Sequence, residues 1–129
     1  MSSYLGVVIE QSLADRSWLE TVEVVLREKD PNGEWVFLLV RVPEAGSAGA
    51  FARLQSALRR DEPWYGHFFR GTELVVVFGD DVVTVTTDPA TWGPAIAHGV
   101  MLGIPEEQLD FFPHTIDQAA QRFGIRPTG

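Results

Sequence analysis

No cysteine occurs among the 129 residues, so the chain can build no disulfide framework, no thiolate zinc site and no cysteine nucleophile. Positive charge is scarce: 10 Lys and Arg stand against 18 Asp and Glu, a formal net charge of −8. Nucleic-acid binders draw most of their non-specific affinity from clustered cations, so a nucleic-acid partner is not expected. The one basic pair, Arg59-Arg60, closes a helical pattern, where cations complement the helix dipole. Long apolar runs are missing as well. The longest, Trp35 to Val40 and Leu74 to Phe78, fall far short of the roughly 20 residues that a membrane-spanning helix needs. Met1 to Glu10 carries no basic leader and no small-residue cleavage site, so export is not expected and a cytoplasmic location is.

Several motifs are absent too. There is no Gly-x-Ser-x-Gly elbow and no kinase signature. Gly46-Ser-Ala-Gly49 precedes a helix but lacks the Gly-Lys-Ser/Thr ending of a phosphate cradle. His67, His98 and His114 are not spaced as zinc ligands, and neither a metal nor a cofactor is called for. The acid pairs Asp80-Asp81 and Glu106-Glu107 sit in turns, where solvated carboxylates are common.

What is present is 45% hydrophobic and organised as one domain. Tyr4 to Ile9 reads as a strand, and Ser12 as the cap of a short helix turning Leu13, Trp18 and Leu19 inward. Thr21 to Arg27 and Trp35 to Val42 read as a hairpin around the turn Lys29-Asp-Pro-Asn-Gly33. Ala50, Phe51, Leu54, Ala57 and Leu58 lie on one stripe of a helix that stops near Asp61-Glu-Pro63. Trp64 to Arg70, Glu73 to Phe78 and Val82 to Thr87 then form a meander with turns at Gly71-Thr72 and Gly79-Asp80-Asp81. A second helix follows Asp88-Pro89, with Trp92, Ala95, Ile96 and Val100 on one face, and Gly103 or Pro105 closes it. A third runs from a Thr115 cap to Gly124, with Ile116, Ala119, Ala120 and Phe123 inward. The fold class is α+β: a two-layer sandwich, mainly an antiparallel sheet with helices packed on one face. Strand, strand, strand, helix occurs twice, the order of a pseudo-duplication, without any residue-level repeat.

Pairing across Gly71-Thr72 assigns side chains to faces, because residues directly opposite in an antiparallel ladder project from the same side. One face carries Tyr65, His67, Phe69, Leu74, Val76, Phe78, Val83 and Val85, and helices should cover it. The other carries Trp64, Phe68, Arg70, Val75, Val77 and Val82, too apolar to stay open. A second copy, the N-terminal segment or a ligand should lie there.

Trp64-Tyr-Gly-His-Phe68, the Val-Val-Val-Phe78 strand, Trp92 with Ala95 and Gly99, and Leu102-Gly-Ile-Pro-Glu-Glu-Gln-Leu-Asp-Phe111 resemble a family of small prokaryotic proteins without an assigned activity. Leu5-Gly-Val-Val-Ile-Glu-Gln-Ser-Leu13 is similar to the opening of those proteins. The resemblance supports the domain reading and carries no catalytic role. From the residues, the expected function is a binding or regulatory module acting through the aromatic face, with Trp64, Phe68, Arg70 and Trp92 as binding residues and a homodimer or protein partner. The alternative is a small cofactor-independent isomerase, cyclase or lyase. In it His67 is the general acid or base, and Tyr65 and Asp110 position a small-molecule substrate.

Overall fold

The computed structural model describes residues 3–30, 33, 35–113 and 115–124. The expected turn residues Pro31 and Asn32, the histidine at 114 and the side chain at 116 lie outside the described residues. Six strands form one fully antiparallel sheet in the order β2-β3-β1-β4-β5-β6. They are β1 (Ser3–Ile9), β2 (Glu23–Lys29), β3 (Val36–Pro43), β4 (Tyr65–Arg70), β5 (Glu73–Phe78) and β6 (Val82–Thr86). Three helices accompany them: α1 (Ser47–Ala57), α2 (Gly93–Met101) and α3 (Ile116–Phe123). The α+β class follows from the two periodicities, alternation in the strands and a three-to-four spacing in the helices.

Strand parity is as the Gly71-Thr72 turn implies. Arg70 lies opposite Glu73, His67 opposite Val76 and Tyr65 opposite Phe78. The face bearing His67 packs with Leu5, Val7 and Leu39 against Trp92, Ala95, Ala119 and Phe123, so α2 and α3 share it. The opposite face, with Tyr4, Val8, Val40, Phe68, Val75 and Val77, is covered by Ala50, Phe51, Leu54 and Ala57 of α1 and by Leu13 and Trp18. Within each face, every large apolar side chain taken fully out of water contributes about 1.5–3 kcal/mol. The sheet therefore carries α2 and α3 on one face. The second apolar face, expected to be covered by a second copy, the N-terminal segment or a ligand, is closed by the chain itself, by α1 together with Leu13 and Trp18 of the N-terminal segment.

The two halves pair differently. β4, β5 and β6 form the expected meander, whereas β1 lies between β3 and β4 and does not pair with β2. Two short 3-10 helices, Glu10–Ser12 and Arg16–Thr21, carry the chain from β1 out to β2. Asp15, not Ser12, caps the second of them, accepting from the Ser17 N–H at 3.0 Å. Ser12 instead donates to the Ile9 carbonyl at 2.6 Å. At the far end α2 stops at Gly103, whose φ of +98° is one that other residues adopt only at a cost.

β6 is an edge strand, and its own chain occupies much of that edge. Thr87 donates toward the β5 side, to the Thr72 carbonyl, so by alternation Val82, Thr84 and Thr86 present their backbone groups outward. The Val82 N–H meets Asp81 Oδ1 at 2.9 Å, and the Thr86 N–H meets Thr91 Oγ1 at 3.1 Å. Trp92 Nε1 donates to the Thr86 carbonyl at 2.9 Å. Such plugging of outward-facing groups hinders edge-to-edge pairing with another chain.

Candidate functional site

The sheet register carries His67 into the interior, where it is 4% exposed. Its Nε2 lies 2.9 Å from the Pro113 carbonyl. A carbonyl can only accept, so Nε2 carries the proton and donates. Two residues earlier on the same face, the Tyr65 hydroxyl donates to the Gln108 carbonyl. Phe111 fills the space between these anchors, its ring centroid 5.5 Å from Tyr65, 6.0 Å from His67 and 5.1 Å from Trp92. Asp110 is exposed, and no hydrogen bond joins it to His67 or Tyr65 among the described residues. The proposed triad is thus split: His67 and Tyr65 hold the 104–113 segment against the sheet, while Asp110 stands outside.

Burial pushes the Tyr65 hydroxyl well above its ordinary value, and the Asp110 carboxylate adds to the shift. The side chain therefore remains a neutral donor at physiological pH and cannot serve as a phenolate base. The unfolded chain releases this proton near pH 10 and the folded chain only at higher pH. Above pH 10 the unfolded state consequently binds fewer protons, and stability falls as pH rises. Tyr4 is shifted in the same direction and adds to the fall. Denaturant midpoints followed from pH 8 to 11 should decline above about pH 10, less steeply in Tyr65→Phe than in the parent chain. Parallel declines would mean that the hydroxyl titrates alike in both states.

The four expected binding residues do not form one surface. Phe68 is fully buried beneath α1, and Trp92, 7% exposed, lies on the opposite side of the sheet. Arg70 is held by Glu44 at 2.8 Å and Glu73 at 3.0 Å, with its guanidinium over the Tyr4 ring. The aromatic binding face is thus a packed interior, because α1 docks its apolar stripe there. Trp64, half-buried, lines an open cleft.

That cleft, about 340 Å³, forms where three elements meet: the segment 59–64 between α1 and β4, the β5–β6 turn at Gly79-Asp80, and Leu102 at the end of α2. Arg59 reaches Asp61 through Nε at 3.0 Å and a second bond from the guanidinium, and lies 3.6 Å from Glu62. Its guanidinium is thus engaged by carboxylates rather than by the helix end. Arg60 is exposed and has no ion pair among the described residues. His98 donates from Nε2 to Asp80 Oδ1 at 2.9 Å and packs on Phe78 with centroids 4.8 Å apart, tying α2 to the turn. Helical phase places His98 off the apolar stripe, yet its side chain is 15% exposed because the turn folds over it. The indole N–H of Trp64 is buried and meets no acceptor among the described residues.

Compared with protein-family models, curated proteins and solved structures, the chain matches none.

A second groove, about 350 Å³, runs between α1 and the Arg16–Thr21 turn. Its polar groups are largely engaged: Ser17 with Asp15, Thr21 with the Trp18 carbonyl, Ser56 with the Ala52 carbonyl. Its hydroxyls are thus taken, while Arg53, exposed and without an ion pair among the described residues, is left as its free donor. Among the described residues no cluster of three metal-ligating side chains forms, and no helix is long and apolar enough to cross a membrane.

Proposed function

We propose that the chain is a small binding module whose ligand site is the cleft bounded by residues 59–64, the Gly79-Asp80 turn and Leu102. One observation carries this reading: the cleft joins an uncommitted cation, Arg60, to the apolar surfaces of Pro63, Trp64 and Leu102. Small-molecule sites combine apolar walls with a few polar groups in this way. Its lining includes no hydroxyl or thiol side chain, so it holds no serine-, threonine-, tyrosine- or cysteine-type nucleophile. His67 and Tyr65, the acid–base candidates, are engaged with backbone carbonyls and line neither groove.

Titrating the isotope-labelled chain separately with benzoate, benzylamine and benzyl alcohol, followed by ¹H–¹⁵N NMR, tests the reading. At least one probe should move the Trp64 indole together with the Gly79 and Leu102 amides, with a dissociation constant of about a millimolar for so small a molecule. Shifts confined to the Trp18 indole and Ala52, or no shifts up to 20-fold above that concentration, would overturn it.

A further inference from the structure

We infer that the ligand of this cleft is dipolar, a carboxylate and an ammonium on one apolar body, the chemistry of a free amino acid. The inference rests on the cleft being the binding site and adds the class of molecule. Five charged side chains line it, two cations and three anions. Arg59 and Asp61 engage each other bidentately. What remains is Arg60, without a partner among the described residues; Glu62, no closer than 3.6 Å to a guanidinium; and Asp80, whose Oδ1 alone is held by His98. Uncommitted groups of both signs therefore face one small volume.

A ligand with one charge satisfies only part of this set. A simple anion gains Arg60 but approaches the carboxylates of Glu62 and Asp80, and it arrives against the field of a chain with net charge −8. A simple cation gains the carboxylates but leaves Arg60 unpaired. A molecule carrying both charges pairs with each and brings no net charge against that field. Pro63, Trp64 and Leu102 supply the apolar wall for its body. A volume of about 340 Å³ lies at the small end of ligand cavities and suits a single small molecule.

Three probes with one aromatic body separate the possibilities: L-phenylalanine, 3-phenylpropanoate, which lacks the ammonium, and phenethylamine, which lacks the carboxylate. Each is titrated into the full chain while the Trp64 indole resonance is followed. L-Phenylalanine should bind at least fivefold more tightly than either analogue. Arg60→Ala should reduce its affinity to that of phenethylamine, and Asp80→Asn with Glu62→Gln to that of 3-phenylpropanoate. Unchanged far-ultraviolet circular dichroism would show that these surface variants fold. If either analogue binds as tightly as L-phenylalanine, the cleft remains a binding site and the dipolar class is wrong. If none of the three moves the Trp64 indole, the dipolar class falls; if the singly charged and neutral benzyl probes also fail there, the cleft falls with it.

Discussion

Gly6→Ala should destabilise the fold by about 3 kcal/mol, the upper part of the range for overpacking a filled core. Gly6 lies opposite Phe68 in the β1–β4 ladder, and the ring lies flat across the position a side chain would take. A Cβ there would fall 2.1, 2.4 and 2.8 Å from three ring atoms. Phe68 cannot swing aside, because Phe51 and Trp18 pack on it with centroids 4.8 and 6.5 Å away. The strand itself must therefore move, and β1 is hydrogen-bonded on both sides, to β3 and to β4. A second substitution makes the mechanism testable. Phe68→Leu alone should cost about 1–2 kcal/mol as a large-to-small core change. Combined with Gly6→Ala it should recover about 1.5 kcal/mol relative to additivity, since one change vacates the space that the other fills. Denaturant unfolding of the four proteins measures this coupling. Strict additivity would show that the ring does not limit the backbone position.

Phe111→Ala should cost about 4 kcal/mol, whereas Phe112→Ala, one residue on, should cost less than about 0.5 kcal/mol. Neither residue belongs to a helix or strand, so local structure does not distinguish them. Packing does. Phe111 is fully buried among Tyr65, His67 and Trp92, while Phe112 is 43% exposed. Removing the Phe111 ring leaves a cavity beneath the segment that His67 and Tyr65 hold through the Pro113 and Gln108 carbonyls. Hydrogen exchange should accordingly accelerate at the Leu109 amide, which donates to the Glu106 carbonyl, before it accelerates in the central strands. Similar costs for the two alanine variants would mean that this segment is not anchored through Phe111.

Legibility in the sequence tracked how local the deciding interaction is. The alternation from Trp64 to Thr86, broken by Gly71-Thr72 and Gly79-Asp80-Asp81, specified the meander, its register and both its faces, because side-chain period and turn chemistry are short-range properties. The burial of His67 followed directly. The residues in and beside the cleft were each visible but scattered in meaning: Arg59-Arg60 read as a helix end, Asp80 as a solvated turn, and His98 fell off the apolar stripe of its helix. Helical phase reports a residue's orientation on its own helix, and it does not show that a turn 18 positions earlier comes to lie across it.

By itself the sequence determined an α+β domain without thiol chemistry, with a hairpin-built sheet and with His67 facing inward, since composition and periodicity act within a few residues. Only the tertiary structure decided that β1 inserts between β3 and β4, that α1 closes the second face, and that Arg60, Trp64, Asp80 and Leu102 border one cleft. The physical reason is that an apolar stripe states that it will be buried and leaves open against which partner. That choice is made by the packing of whole elements far apart in the chain.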